Sequence, residues 1–421
     1  MKKYLASVFA ILTKALLTRF KLGSGSALPG RVALMLDANY ISKCNDLFVA
    51  ASKTFFISGT NGKTTSSGIL TNILELAYNK KIINNAFGAN LYYGIASILA
   101  QNAFLKKEDY NNGFVFEVDE AALKSLAKDL YPKTILLTNI YRDQLDRFGE
   151  INATKDLLEQ AILQLKNQNI KLILNADDTK ISQFKELEKY GFQIYFYSVA
   201  NVDIAFQETK TNSKLETKNL FKATLLEANL DSSLIKFCVD NQEIDLNLPI
   251  AGNYNVYNAC AAAAAAYYNG VSLIDIKKGI ESYKPAFGRG EKKSIAGKDL
   301  NIFLIKNPAG CTEVINFTKQ FENSKILIAI NDNYADGRDV SWLWDAQFEN
   351  FAQLKNTQFI CSGSRAFDMA LRLKYAGITN VEIDSDLIPS IKMLLEKSTK
   401  DENLFVLPTY TALLEINSKL N

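Results

Sequence analysis

Thr54-Phe-Phe-Ile-Ser-Gly-Thr-Asn-Gly-Lys-Thr-Thr65 joins an apolar run to two glycines, a lysine and a pair of threonines. Thr54 to Ile57 are β-branched or aromatic and read as a buried β-strand. Apolar residues then recur at Ile69, Leu70, Ile73, Leu74 and Ala77 with the spacing of a helix. Strand, glycine turn and helix in that order make a cradle for nucleotide phosphates. Gly59 and Gly62 let backbone N–H groups approach phosphate at the positive end of the helix, and Thr60, Asn61 and Thr65 complete the loop. Lys63 can reach the β- and γ-phosphates while the Thr64 hydroxyl ligates Mg2+. The general phosphate-loop pattern asks for a glycine five residues before Gly62, where Ile57 stands, so the match is partial. A glycine turn that merely caps a helix is the competing reading.

Outward from this loop, short apolar strands alternate with helical patterns as far as about Ser198, the signature of an α/β fold with a mostly parallel sheet. Strands are expected at residues 54–58, 81–84, 113–118, 133–138, 171–174 and 193–197. Ligands of such sheets bind beyond the carboxyl ends of the strands. Glu117, Asp119 and Glu120 stand at one such end and offer hard oxygen ligands for Mg2+, Glu117 first among them. Asn139 and the run Arg142, Asp143, Gln144, Asp146 and Arg147 stand at the next, as part of a site or as a surface ion-pair cluster. Between about 202 and 248 the pattern changes to strand-like runs with polar turns, expected to form a small antiparallel patch or insertion. Asn255 and Asn258 open an alanine-rich helix on one face, where amides either read an adenine edge or cap the helix. Arg289 lies in the loop Pro285 to Glu291 and can meet a phosphate or pair with Glu291. From about Lys293 a second α/β unit is expected, and after its second strand come Asp332, Asp336 and Asp339 ahead of Ser341 and Trp342.

The chain has 421 residues, enough for two or three domains. Its 48 basic and 45 acidic residues leave a formal charge of +3, far from the bias of a nucleic-acid binder, so no nucleic-acid partner is expected. Five scattered cysteines without a CxxC pair argue against a disulfide framework and for a reducing, cytoplasmic setting. Histidine is absent altogether, which removes the commonest general base and the usual partner of a Ser or Cys nucleophile. Residues 1–45 begin with two lysines and an apolar run broken by Lys14, Arg19 and Lys21, shorter than the roughly 18 apolar residues of a membrane span. A basic amphipathic helix is expected there, packed on its own protein or resting on an anionic membrane surface.

Together these segments resemble the Mur ligase family. The resemblance rests on SGTNGKTT, the Glu117 strand end, TNIYRDQLDRFGE, GNYNVYNACAA and FGRGE. FEVDEAAL, KPAFGRGE, KNPAGCTEV, NDNYADGRDVSWLWD and PTYTALLE are similar to the MurT branch of that family, covering the chain from about Gly25. The resemblance implies a central ATP-binding domain over 46–293, with the small β insertion at about 202–248, and a Rossmann-like α/β domain over 294–421. It implies a ligase that uses ATP and Mg2+ to activate the α-carboxyl of D-glutamate in the lipid II stem peptide as an acyl phosphate, which ammonia converts to D-isoglutamine. The ammonia would come from a GatD-type glutamine amidotransferase subunit, with lipid II met at the inner face of the membrane.

By the same resemblance Lys63 neutralises the transferring phosphoryl group, Thr64 and Glu117 hold Mg2+, and Asn255, Asn258 and Arg289 contact the nucleotide. Asn139 and Asp143 match a segment near a second metal or the acceptor carboxylate, with Gln144 where related ligases have histidine. Asp336 first, and Asp339 second, match the aspartate that completes the partner's Cys-His pair. Branch members often carry a four-cysteine zinc ribbon; only Cys238 lies in that region, so no zinc is expected. A UDP-binding domain ahead of the loop lacks room, as a lipid-linked substrate would permit. The competing functions are an amino-acid-adding ligase, of Mur or folylpolyglutamate type, and a nucleotide-binding scaffold subunit without turnover.

Overall fold

The computed structural model describes residues 2–20, 27–51, 53–85, 90–104, 113–141, 151–202, 219–284, 289–354 and 357–420. Asp143 and Gln144 lie outside the described residues, as do residues 285–288 and the side chain of Arg289.

The first sheet is built from β1 (Thr54–Ser58), β2 (Ile83–Asn84), β3 (Phe114–Glu117), β4 (Thr134–Leu137), β5 (Lys171–Asn175), β6 (Gln193–Ala200), β7 (Leu220–Ala228), β8 (Ser233–Val239) and β9 (Gln242–Leu248). Their order is β2-β3-β1-β4-β5-β6-β7-β8-β9, parallel as far as β7 and antiparallel beyond it. The central strands are apolar at nearly every position because both faces are covered. Phe56, Phe116, Ile135 and Leu137 enter one core, while Phe55, Ile57, Val115 and Leu136 enter the other. The strands expected as a small antiparallel patch or insertion are antiparallel to one another and prolong this sheet. Phe221, Ala223, Ile235 and Phe237 share the second core, so that segment is the sheet's far flank.

Among the described residues the α-helices longer than one turn are, in chain order, α1 (Lys2–Arg19), α2 (Leu28–Leu36), α3 (Asn45–Ala50), α4 (Lys63–Tyr78), α5 (Tyr92–Gln101), α6 (Glu120–Asp129), α7 (Ile151–Leu163), α8 (Asn253–Tyr267), α9 (Leu273–Glu281), α10 (Pro308–Thr318), α11 (Ala366–Tyr375), α12 (Leu387–Glu396) and α13 (Tyr410–Lys419). α1 to α3 and α5 to α7 supply residues to the first core; α4, α8 and α9 supply the second. The alanines of α8, fully buried from Ala261 to Ala266, let it lie close against α4. α1 meets its own protein through the small residues Ala6, Ser7 and Ala10, and Ser7 Oγ lies 2.7 Å from Tyr40 Oη.

The second sheet takes β10 (Arg289–Ile295), β11 (Lys298–Phe303), β12 (Ser324–Ala329), β13 (Gln358–Ser362), β14 (Val381–Ile383) and β15 (Asn403–Pro408) in the order β10-β11-β15-β12-β13-β14. Only β10 is antiparallel. β10 corrects one expectation: Arg289 opens a strand, paired with β11, instead of sitting in a loop. Its sequence RGEKKSI hid it, since charge on an edge strand is a device against pairing with other chains and looks like a loop when read alone.

Candidate active site

β1 lies between β3 and β4, so the carboxyl ends of these three strands form one crevice. The loop after β1 turns through Gly59 at φ 121° and Gly62 at φ 87°. Both glycines are required twice over. A Cβ on Gly59 would stand 2.4 Å from Thr138 Oγ1, and one on Gly62 would stand 2.0 Å from Asn258 Oδ1. Asn139, just past β4, grips the loop from below. Its Oδ1 accepts from the Asn61 N–H at 2.8 Å and its Nδ2 donates to the Asn61 carbonyl at 3.1 Å, while its own carbonyl accepts from the Thr60 N–H at 2.9 Å. The Thr60 hydroxyl in turn accepts from the Tyr141 N–H at 3.0 Å. The carboxamide of Asn139 is therefore engaged with backbone, and its task in this geometry is to shape the loop.

The three acids at the carboxyl end of β3 have three separate tasks. Glu117 Oε2 accepts from the Thr64 hydroxyl at 2.8 Å, and its Oε1 accepts from Asn90 Nδ2 at 3.0 Å. Asn85 brackets the Glu117 peptide with two further bonds of 2.8 Å, fixing the carboxylate's direction. Asp119 caps α6 by accepting from the Ala121 N–H at 3.0 Å. Glu120 forms a buried ion pair with Lys63 at 3.2 Å. The lysine also donates to the carbonyls of Gly59 and Thr60. It thus lies folded back along its own loop, with Glu120 in the place of an incoming anion.

A hydroxyl and a carboxylate 2.8 Å apart at the mouth of a phosphate loop form the donor set that suits Mg2+, which needs one or two protein oxygens and takes the rest from phosphate and water. Among the described residues no group of three or more His, Cys, Asp or Glu side chains is gathered for a metal. Thr65 is buried, and its hydroxyl and that of Ser58 have no hydrogen-bond partner among the described residues.

The cleft above the loop is lined by Asn61, Asn139, Tyr197, Tyr254, Tyr257 and Asn258 from the first unit and by Lys306, Gly310 and Glu313 from the second. Asn258 faces the cleft; Asn255 does not. Asn255 is fully buried, donates to the Ala251 carbonyl at 2.6 Å and accepts from Asn258 Nδ2 at 3.0 Å, so it orients Asn258 from behind. Asn307 is the residue that sequence reasoning passed over within KNPAG. Its Oδ1 caps α10 through the Gly310 N–H at 2.8 Å, and its Nδ2 donates to Asn61 Oδ1 at 3.0 Å. An Asn before Pro at a helix start signals the cap, but nothing in the sequence signals the contact with Asn61.

Behind the cleft, Asp177 accepts from the Val199 N–H at 2.8 Å and from Tyr257 Oη at 3.0 Å. Burial raises its pKa against the opposing pull of both bonds. Burial likewise raises Tyr141, with the charge of Asp178 adding to it.

Asp336 and Asp339 are in the second unit, past the end of β12. Asp336 accepts from the Thr411 N–H at 2.7 Å, from the Thr411 hydroxyl at 2.6 Å and from the Asn333 N–H at 3.2 Å. Asp339 is exposed and accepts from the Ser341 N–H at 2.8 Å, a bond that lowers its pKa. Asp332 is tied to Arg365 at 2.9 Å.

Residues 57–266 match the model of the Mur ligase middle domain and residues 304–413 that of the MurT ligase C-terminal domain. A relative in Streptococcus pneumoniae, the lipid II isoglutaminyl synthase (glutamine-hydrolyzing) subunit MurT, is 32% identical over 95% of this chain and 93% of its own. The chain belongs to the MurT family. The subunit of the same name in Staphylococcus aureus is 31% identical over 94% of this chain and 93% of its own. Among solved structures, MurF from Acinetobacter baumannii aligns with a TM-score of 0.70 at 20% identity, covering 92% of this chain and 81% of that one. MurF from Thermotoga maritima in complex with ADP aligns at 0.66 and 15% identity, covering 92% and 84%. These likenesses show the Mur ligase fold. The two units of this MurT family member, with the loop of β1 between them, are the central and C-terminal parts of that fold.

Proposed function

We propose that the chain is the synthetase subunit of a glutamine-dependent enzyme that amidates the stem peptide of lipid II. It uses ATP to phosphorylate the α-carboxyl of D-glutamate: a carboxylate oxygen attacks the γ-phosphorus, ADP leaves, and ammonia then displaces phosphate from the acyl carbon to give D-isoglutamine. The observation that carries this reading is the glycine loop itself: its Lys63 pairs with Glu120, its Thr64 meets Glu117, and its Asn61 and Gly62 line a cleft shared by both units. Thr64 and Glu117 would hold Mg2+, which supplies charge neutralisation between the phosphates. Lys63 leaves Glu120 to meet the transferring phosphoryl group, and the N–H groups of residues 59 to 63 cradle the β-phosphate. Asn258 orients the nucleotide from the α8 side, and Lys306, at the rim of the second unit, is placed to meet the acceptor carboxylate.

The nitrogen source is a separate chain. With no histidine, this subunit has no ordinary base for thiol hydrolysis of glutamine. A GatD-type glutaminase would supply Cys and His, and Asp336 would orient that His, being held by Thr411 on a surface where Tyr334 is 95% exposed. Lipid II would be met at the inner face of the membrane.

The test is amidation of lipid II by the isolated chain with ATP, Mg2+ and excess ammonium, read by mass spectrometry. Amino-acid addition in place of amidation, or ATP binding with no product even when the glutaminase is supplied, would refute the assignment. With the partner present, Asp336→Asn is expected to abolish glutamine-dependent product and spare ammonia-dependent product. Equal loss of both would move Asp336 into the synthetase site.

A further inference from the structure

α1 is turned the opposite way from an ordinary surface helix. Its small residues Ala6, Ser7 and Ala10 face the protein, while Leu5, Val8, Phe9, Leu12, Leu16 and Phe20 stand between 41% and 63% exposed. At 100° per residue these six side chains occupy well over a quarter of the helix circumference, one continuous stripe along about 23 Å from Leu5 to Phe20. The stripe does not end with the helix. Tyr4 meets the exposed Phe104 ring at 5.7 Å, and on the adjoining α2 Met35 is 79% exposed. Contiguous apolar surface of this extent is uncommon on a monomer and marks a docking face.

Charge says what docks. From Met1 to Leu36 the sequence holds Lys2, Lys3, Lys14, Arg19, Lys21 and Arg31 and not one acidic residue, although acidic and basic residues are nearly balanced over the whole chain. Lys2, Arg19 and Arg31 are exposed. An apolar stripe with cations at its ends, on a helix that is not long and apolar enough to cross a membrane, fits the boundary between headgroups and acyl chains of an anionic bilayer. A protein partner would bring acids to a few positions; a uniformly cationic segment around large apolar side chains suits a uniformly anionic surface.

We infer that α1, with the exposed edge of α2, docks the protein in-plane on an anionic lipid surface through Leu5, Phe9, Leu12, Leu16 and Phe20. The helix pair is seated firmly enough to orient the molecule. α2 packs so closely on α5 that a Cβ on Gly30 would fall 1.9 Å from the Tyr93 carbonyl, and Lys14 donates to Gln101 at the other end of α5. α5 starts beside Asn90, whose amide holds Glu117. The docking face is therefore linked through one helix of about 15 Å to the carboxylate at the phosphate loop, and a bilayer-bound molecule presents its crevice at a set height above the headgroups.

This inference does not depend on the reaction assigned above, because lipid binding is read without turnover. The full chain is floated on sucrose gradients with vesicles of phosphatidylcholine alone or with 30 mol% phosphatidylglycerol, at low and at high salt. Binding at least about tenfold stronger to the anionic vesicles and weakened by salt is expected. The triple variant L5Q/F9Q/L12Q should lose that binding at least about tenfold while keeping the ATP affinity of the parent. The charge reversal K2E/R19E leaves the apolar stripe intact, should abolish the preference for anionic lipid, and decides the matter if the triple variant does not fold. No flotation, or flotation that neither variant changes, would overturn the inference. So would a concentration-dependent dimer of the parent, abolished by the triple variant, in the absence of lipid binding; that result would make the stripe a contact between copies of the chain.

Discussion

Asn139→Ala separates a loop-shaping role from a role at the acceptor. The side chain makes two hydrogen bonds to the peptide of Asn61, at 2.8 and 3.1 Å, and Asn61 is only partly buried, so water can reach the groups left behind. At about 1 kcal/mol net for each bond, the variant loses about 2 kcal/mol of loop order. ATP must restore that order on binding, and at 1.4 kcal/mol per decade its Kd should rise roughly 30-fold. The backbone bond from Thr60 to the Asn139 carbonyl survives the substitution, so the loop can still close around phosphate. At saturating ATP, kcat with ammonium as nitrogen donor should therefore stay within about threefold of the parent. Asn139→Asp should bind ATP no better than the alanine variant, because its carboxylate would face the Asn61 carbonyl that the amide N–H now satisfies. Calorimetric titration with ATP and Mg2+ gives the Kd, and mass-detected amidation gives kcat. An unchanged Kd with kcat reduced a hundredfold would refute the reasoning and return Asn139 to the acceptor or second-metal role that the sequence resemblance implies.

Glu120→Gln leaves the buried Lys63 without its counter-charge and should lower the stability of the nucleotide-free protein by about 3 kcal/mol. Added ATP supplies the missing negative charge, so the ATP-induced rise in Tm should exceed that of the parent; an equal rise would count against the ion pair as the stand-in for phosphate. Asp177→Asn tests the raised pKa behind the cleft. Since the folded pKa lies above the unfolded value, Asp177 stabilises the fold fully only below 3.8, and that contribution is lost as pH rises through the raised pKa. The difference in Tm between Asp177→Asn and the parent should become more favourable to the variant from pH 4 to pH 8; a flat difference would show that Val199 and Tyr257 fully compensate the burial. Thr411→Val keeps the backbone N–H that Asp336 accepts and removes the hydroxyl at 2.6 Å. Glutamine-dependent amidation should fall several-fold and ammonia-dependent amidation should not; parallel loss would place Thr411 in the synthetase crevice.

Much of the fold was legible in the sequence because its central strands are buried on both faces. Phe55, Phe56 and Ile57 must all be apolar, since successive side chains enter opposite cores, and such runs are hard to mistake. β10 escaped because a polar edge strand carries no such pattern. In the site, the loop and its glycines were legible because their backbone conformations admit little else. The division of labour among Glu117, Asp119 and Glu120 was not. At a strand-to-helix junction the chain turns within three residues, so neighbouring acids point to a hydroxyl, to a helix end and to a lysine. Asn255 and Asn258 were expected to share a task because they share a face, but burial makes one the support of the other. For α1 the sequence left two orientations open, packed on the protein or resting on a membrane surface, and the burial of its small residues shows which face meets the protein.

Asn61 stands where the two units meet. Its peptide is held by Asn139 at the end of β4, and its side chain exchanges hydrogen bonds with Asn307 ahead of α10. The loop and the cap of α10 are therefore joined through one pair of carboxamides. The same rim of the second sheet carries the turn that holds Asp336. β11 and β12 both run parallel to β15 between them, so the segments leaving their carboxyl ends, Lys306 with Asn307 and the turn with Asp336, start about 10 Å apart along one edge. Thr411, which holds Asp336, leaves the carboxyl end of β15 itself. On the proposed reading, a glutaminase seated at Asp336 would stand on the same edge as Lys306 and Gly310 of the cleft lining. Three parallel strands sharing one rim set that spacing.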